Sequence, residues 1–134
     1  MPEPTYTPAQ AQALLDEVIR PLAERLVELG AETAPMRLRW QRIVVAIGSN
    51  GGGLDKGEAE GLREALEDAQ REATEILSEI TSHGVQVKDP DTGLLDVPTV
   101  VDGRPALLCW RVGEQRIEFW HTIEDGFAGR RPIE

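Results

Sequence analysis

The sequence is poor in the residues that build metal clusters, disulfides and membrane spans. It has one cysteine and two histidines among 134 residues. Cys109 therefore cannot form an internal disulfide, and the chain lacks the several closely spaced Cys and His ligands of a typical zinc site. No apolar run approaches the roughly 20 residues that cross a bilayer, and the N-terminal residues lack the features of a signal peptide. We therefore expect a cytoplasmic protein without a membrane partner.

Basic residues are also scarce. The chain has 14 Lys and Arg against 24 Asp and Glu, which gives a net charge of −10. An acidic surface repels phosphate backbones, so no nucleic-acid partner is expected. The glycine-rich segment 48–53 does not change this expectation, because it lacks the lysine and the glycine spacing of phosphate-binding loops. We interpret it as a connector that ends a helix.

The N-terminal part, residues 7–84, predicts a long antiparallel helical hairpin. Thr7 with Gln10 three residues later forms a capping box, and Pro8 suits the first helical position. Apolar residues then recur at steps of three and four, which places them on one face of a helix.

Proline and glycine complicate this first helix. Pro21 should kink it without ending it, because the apolar stripe continues in phase. An interruption is expected at Gly30 or Pro35. The spacing of residues 36–47 is helical again, but whether they continue the first helix stays open.

The second helix carries the strongest periodic signal. Its apolar seam steps by three and four residues through Ala59, Leu62, Leu66, Ala69, Ala73, Ile76 and Ile80. Two helices alone make a thin core, so the remaining apolar faces must pack on the C-terminal part or on a second copy. We therefore predict a homodimer that forms a four-helix bundle.

The C-terminal part, residues 85–134, predicts a small antiparallel β meander. Alternating apolar residues indicate short strands, and glycine-containing turns separate them. The strands are expected at residues 85–88, 95–101, 104–111 and from 116 onward. Together with the helical hairpin, the meander makes an α+β fold, which we expect to form a single domain over residues 1–134.

Two turns set the expected register of the meander. Asp102-Gly103 suits a type I′ turn, and Gly113-Glu114 suits a type II′ turn with glycine first. This register would align Asp96, Cys109 and Glu118 across three strands.

The same register predicts which face each side chain occupies. The face expected to pack on the helices carries Leu95, Val97, Val101, Ala106, Leu108, Trp110, Ile117 and Phe119. His121 falls with this packing face, whereas Cys109 falls on the other face. A three-residue loop at Gly113 would shift the parity and reopen the question of a metal-binding pair of Cys109 and His121.

Three kinds of chemistry are open to the polar residues of the meander. Cys109 and His121 could form a dyad, carboxylates including Asp96 could hold a hard cation, and arginines near the C-terminus could grip an anion. The alternative is that these residues have only a structural role, since a cysteine inside a strand is more often inert packing. We predict no catalytic residue, no metal site and no cofactor.

Two classes of function therefore remain. The favoured one is a non-enzymatic module that self-associates or binds a protein partner on the outer face of the sheet, around Arg111 and Trp120. The alternative is a metal-binding or small-ligand-binding protein or an enzyme that uses the polar residues of the meander. The candidate ligand-binding residues are Lys88, Asp89, Asp96, Cys109, Arg111, Glu118, Trp120, His121 and Arg130.

Several segments resemble one family of bacterial proteins. The segments are Thr92 to Pro98, Leu108 to Glu114, Trp120-His121 and Gly126 to Arg130, together with the helical start from Thr7. They are similar to the domain-of-unknown-function family numbered 2203. The resemblance implies a stand-alone cytosolic bacterial protein with a long helical pair and a β-rich C-terminal part, and it implies no activity.

Overall fold

A helical hairpin followed by an antiparallel sheet makes up the protein. The computed structural model describes residues 4–49 and 56–133, so most of the predicted glycine-rich connector lies outside the described residues. The helical elements are α1 (Pro8–Leu14), a π-helical segment (Leu15–Ile19), α2 (Arg20–Ser49), α3 (Lys56–Ser82) and a 3-10 helix (Phe127–Gly129). The strands are β1 (Gln86–Asp89), β2 (Leu94–Val101), β3 (Arg104–Arg111), β4 (Phe119–Thr122) and β5 (Arg131–Pro132). The predicted α+β class is therefore confirmed.

The first helix begins where the capping box predicts. The backbone N–H of Gln10 donates to Thr7 Oγ1 at 3.2 Å, and the backbone N–H of Thr7 donates to Gln10 Oε1 at 3.0 Å. Pro8 occupies the first turn, where its missing N–H costs nothing.

Pro21 is accommodated by a wider turn. The π-helical segment lies just before it, and the backbone N–H of Arg20 donates to the carbonyl of Leu15, five residues back. A proline ring clashes with the carbonyl four residues earlier, so the wider turn makes room for Pro21 within a continuing helix.

The predicted interruption at Gly30 or Pro35 is wrong, because α2 runs through both residues to Ser49. Ion pairs to α3 hold α2 on both sides of Pro35. Arg25 Nε lies 2.6 Å from Glu72 Oε2, and Arg39 Nε lies 2.6 Å from Glu58 Oε1. The packing of α2 along α3 thus compensates for the loss of the backbone hydrogen bond that Pro35 removes.

The core lies between the helices and one face of the sheet. In α3 the seam residues Ile76 and Ile80 are buried in it, and Ala69 and Ala73 pack against it. The buried cluster comprises Ala11, Leu15, Ile19, Ala23, Leu26, Leu29, Ile76, Ile80, Val85, Leu95, Val97, Leu108, Trp110 and Ile117. None of the helices in the described part of the chain is long and apolar enough to cross a membrane.

The strands form a meander, since the described sheet has the order β1-β2-β3-β4-β5 with antiparallel neighbours. The turn between β2 and β3 matches its prediction. Asp102 and Gly103 both have positive φ, at 52° and 76°, as a type I′ turn requires. Val101 consequently pairs with Arg104, and Asp96 pairs with Cys109.

The connection between β3 and β4 differs from its prediction. The backbone N–H of Glu114 donates to the carbonyl of Arg111 at 3.0 Å, so Val112 and Gly113 are the central residues of the turn. Gly113 has a φ of 103° at the second central position, where a type II turn needs glycine. The chain then continues in a loop until β4 begins at Phe119, and a strand from residue 116 is wrong.

The new register exchanges the faces of the β4 side chains. Cys109 pairs with Phe119, and Leu107 pairs with His121. Phe119 and His121 therefore share the outer face with Cys109, whereas Trp120 packs against the core. The predicted separation of Cys109 from His121, the predicted alignment of Glu118 with Cys109 and the placement of Phe119 on the packing face are all wrong.

Gly93 provides a test of the packing between the helices and the sheet. Its φ is 71°, and a Cβ there would collide with the Val112 side chain and lie 3.0 Å from Val27 Cγ2. Gly103 has a similar φ of 76° but open space around it. We expect Gly93→Ala to lower the free energy of unfolding by about 1–3 kcal/mol more than Gly103→Ala, because only the first overpacks. Urea unfolding followed by tryptophan fluorescence measures both; equal losses would contradict the described packing.

Candidate functional site

Three buried side chains from three adjacent strands meet on the outer face of the sheet. They are Asp96 of β2, Cys109 of β3 and His121 of β4. Each residue is at most 2% exposed. One potential ligand atom from each, a carboxylate oxygen, Sγ and an imidazole nitrogen, lies within 4.8 Å of the others. We call this set the Asp-Cys-His cluster.

The imidazole of His121 is held at both nitrogens. Nδ1 lies 2.7 Å from the carbonyl oxygen of Thr122, and Nε2 lies 3.0 Å from Asp96 Oδ1. A carbonyl oxygen only accepts, so Nδ1 carries a proton and donates it. The other contact joins Nε2 to a carboxylate oxygen, and one further proton must lie between these two atoms in the absence of a metal ion.

The thiol of Cys109 is not activated as a nucleophile. Burial raises its pKa to about 12, and the nearby charge of Asp96 acts in the same direction, whereas Arg130 opposes both. At neutral pH the sulfur therefore keeps its proton. The thiolate is the reactive form of cysteine, so the protonated thiol is a poor nucleophile. His121 contacts Asp96 and Thr122, so the predicted alternative of an activated Cys109–His121 dyad lacks its hydrogen bond in this geometry.

Arg130 closes one side of the cluster. Its guanidinium carbon lies 4.2 Å from the ring centre of Phe119 and 4.8 Å from that of Phe127. Its Nη2 donates to both carboxylate oxygens of Glu114, at 2.8 and 2.9 Å. Its Nε is buried and makes no hydrogen bond within the described residues. Arg130 is thus part of the wall around Cys109, fixed by aromatic stacking and by an ion pair.

A pocket of about 460 Å³ lies next to the cluster, with Asp96 and His121 among its lining residues. Its size is in the range of small-molecule sites. Most of the other lining side chains are apolar, and the polar ones come from β1, from Thr99 of β2 and from the N-terminal segment. The lining comprises Thr5, Gln86, Lys88, Leu94, Asp96, Pro98, Thr99, Pro105, Ala106, Leu107, His121, Ile123, Gly126 and Phe127.

The remaining predicted ligand-binding residues have other surroundings. Asp89 Oδ1 accepts from the backbone N–H of Asp91 at 3.0 Å and so stabilises a turn. The carbonyl of Glu118 accepts from the backbone N–H of Ile133 at 2.8 Å, while the Glu118 side chain is exposed.

Two aromatic and basic candidates also lie away from the cluster. Arg111 is exposed, with its guanidinium carbon 5.7 Å from the Phe127 ring centre. Trp120 packs on the helix side, so a partner surface that combines Trp120 with Arg111 on the outer face is wrong. Of the predicted residues, the structure brings together Asp96, Cys109 and His121, with Arg130 beside them.

Several pocket residues did not emerge from the sequence. Gln86 lies opposite Asp96 in the sheet, and Leu107 lies opposite His121. The sequence contains a signal for both. Gln86 is two residues from Lys88 and Leu107 is two residues from Cys109, and alternate residues of a strand share a face. Ile123 and Phe127 had no such signal, since they lie beyond the end of β4 in a turn and a 3-10 helix.

The fold and the cluster define an α+β protein in which a helical hairpin covers one face of a meander and a buried Asp-Cys-His cluster lies on the other. The chain belongs to the family described as uncharacterized conserved protein (DUF2203), whose model matches residues 4–133. This confirms the family indicated by the sequence. No curated protein and no solved structure gives a significant match.

The burial of Cys109 predicts low reactivity toward thiol reagents. We expect the native, metal-free protein to react with a chromogenic disulfide reagent at least about 100-fold more slowly than the unfolded chain, because the thiol is buried and keeps its proton. Absorbance at neutral pH follows the reaction, and the same protein in denaturant is the control. Rapid stoichiometric labelling of the native protein would contradict the described burial.

Proposed function

We propose that this protein binds a divalent transition-metal ion, with Zn²⁺ as the principal candidate, through Asp96, Cys109 and His121. The observation that carries the proposal is the convergence of a carboxylate oxygen, a thiol sulfur and an imidazole nitrogen within 4.8 Å at a buried site. Zinc accepts all three ligand types, whereas calcium and magnesium require oxygen ligands.

The separations are close to those of a tetrahedral site. Zinc bonds of about 2.0–2.3 Å place neighbouring ligand atoms about 3.3–3.8 Å apart. The contact of Nε2 with Asp96 Oδ1 is 3.0 Å, and the widest separation in the cluster is at most 4.8 Å. Side-chain adjustments of about 1 Å would therefore complete the site, within the range of ordinary rotamer changes.

The hydrogen bond to Thr122 prepares His121 as a ligand. Histidines that bind metal usually donate the second ring nitrogen to a carbonyl or carboxylate, which fixes the tautomer. Here Nδ1 faces the carbonyl of Thr122 at 2.7 Å, so Nε2 is the nitrogen left for the metal. Nε2 is also the nitrogen that faces Asp96.

The charges and the surroundings fit a zinc ion with an exchangeable position. One thiolate and one carboxylate neutralise the two charges of Zn²⁺, which lowers the cost of placing the ion in a buried site. Asp96 and His121 line the adjacent pocket, which gives a bound ion access to a fourth ligand from that side. Three protein ligands with one open position are typical of catalytic rather than structural zinc sites.

Elemental analysis of protein purified without chelator tests the proposal. We expect one zinc per chain, and we expect cobalt to replace zinc with a thiolate charge-transfer band. Cys109→Ser, Asp96→Asn and His121→Gln should each weaken the affinity by more than about 100-fold, since even outer-shell partners contribute 10–100-fold. His83→Gln is the matched control, because the other histidine lies at the end of the helical part, outside the cluster.

The metal content of each variant is interpreted together with a measurement of its folding. Circular dichroism and the unfolding midpoint of each variant separate loss of a ligand from loss of structure. A folded wild-type protein that holds neither zinc nor cobalt after incubation with excess metal would overturn the proposal. So would metal binding that Cys109→Ser and His121→Gln leave unchanged while both variants stay folded.

The distal half of α2 supports a second proposal, self-association of two chains. Val44 and Ile47 lie three residues apart, on one side of the helix, and are 50% and 57% exposed. Residues 34–49 contain three arginines and no acidic residue, whereas α3 carries eight acidic and three basic side chains. A two-fold arrangement that places α2 of one copy against α3 of the other would cover the apolar side chains and match these charges.

Light scattering after size exclusion tests this second proposal. We expect a dimer, and we expect the double variant Val44→Gln and Ile47→Gln to weaken dimerisation by roughly 100-fold or more, because each buried apolar side chain contributes about 1.5–3 kcal/mol. Val100→Gln is the control, since Val100 is 53% exposed but lies on the sheet. A wild-type monomer at millimolar concentration would contradict the proposal.

A further inference from the structure

We propose that the pocket beside the Asp-Cys-His cluster binds a small organic monocarboxylate, with Lys88 supplying the positive charge and the apolar wall holding the body of the molecule. The inference deepens the proposed metal-binding function, because it names the class of ligand that reaches the open side of that site. It concerns one pocket, which Asp96 and His121 line.

The pocket is polar at one end and apolar at the other. Gln86 and Lys88 of β1 provide its polar end, next to Asp96. Leu107, Ile123 and Phe127 provide much of its apolar wall on the side of β4 and the 3-10 helix. A ligand that fills both ends needs one polar or charged group and one compact apolar body.

Lys88 determines the sign of the expected charge. It is one of two lysines in the chain, and within residues 4–49 and 56–133 it forms no ion pair. The acidic residues around it are engaged elsewhere, since Asp89 accepts from the backbone of Asp91 and Asp96 contacts His121. An ammonium beside an apolar wall, without an acidic partner, favours an anionic ligand.

The net charge of the protein makes this local cation more informative. A chain with a charge of −10 repels anions at long range, so an anion gains affinity only where a specific cation offsets that field. A carboxylate also suits a zinc ion, which accepts oxygen ligands. The apolar wall favours a molecule larger than acetate, because Ile123 and Phe127 are 58% and 42% exposed and would lose that exposure under a ligand.

Calorimetric titration of the zinc-loaded protein with four probes tests the inference. Benzoate is the anionic probe, benzamide and benzamidine are neutral and cationic molecules of nearly the same shape, and acetate lacks the apolar body. We expect benzoate to bind at least about tenfold more tightly than each of the other three. Lys88→Gln should weaken the binding of benzoate by about tenfold and leave that of benzamide nearly unchanged, whereas Ile123→Ala should weaken both.

The controls separate this inference from the metal proposal. Lys56→Gln removes the other lysine, on α3, and should leave the affinity for benzoate unchanged. Zinc content is measured on every sample, and Lys88→Gln should retain one zinc per chain. Chelator-treated protein is titrated in parallel, and it should keep the preference for benzoate over benzamidine, because Lys88 is present in both forms.

Two results would overturn the inference while leaving the metal proposal intact. The first is a zinc-loaded protein that binds benzamidine or benzamide as tightly as benzoate, or that binds none of the probes. The second is an affinity for benzoate that Lys88→Gln does not change. A protein that holds no zinc but binds benzoate through Lys88 would instead overturn the metal proposal alone.

Discussion

Glu114 holds the loop between β3 and β4 in the shape on which the Asp-Cys-His cluster depends. Its backbone N–H closes the turn on Arg111, and its carboxylate accepts from the backbone N–H of Arg111 and from Arg130. Its carbonyl accepts from the indole N–H of Trp110 at 2.8 Å and from Arg20 at 3.2 Å. These contacts fix where β4 starts, and a shift of one residue would turn His121 toward the helices and break the cluster.

Local sequence was sufficient where the deciding contacts are local. The capping box of Thr7 and Gln10 and the type I′ turn at Asp102-Gly103 each lie within four residues, and both form as the sequence predicts. The family and the α+β class follow from patterns spread over the whole chain. The continuity of α2 through Pro35 was missed because its cause, the packing and ion pairs to α3, involves residues far apart in sequence.

Part of the candidate site could be predicted from the sequence, namely the part that local contacts determine. The pairing of Asp96 with Cys109 followed from a turn that its own two residues define. Gly113 was ambiguous, since a glycine with positive φ fits the first central position of a type II′ turn and the second of a type II turn. Besides the local contacts of Glu114 with Trp110 and Arg111, the choice depends on Arg130 and Arg20, which contact Glu114 from 16 residues downstream and 94 residues upstream. No local pattern contains these two long-range contacts, so the sequence alone places His121 on the wrong face.

The position of the cluster bears on whether it is structural or functional. The helical hairpin packs on the opposite face of the sheet, so the outer face needs no polar network to join two layers. Burying a carboxylate, an imidazole and a thiol there costs more than burying apolar side chains of similar size. Replacing a buried ion pair by such apolar side chains often stabilises a protein. The carbonyl of Thr122 orients the imidazole toward Asp96, and the adjacent pocket gives access from one side. A network needed only for stability would gain nothing from such access, whereas a metal centre with an exchangeable ligand requires it.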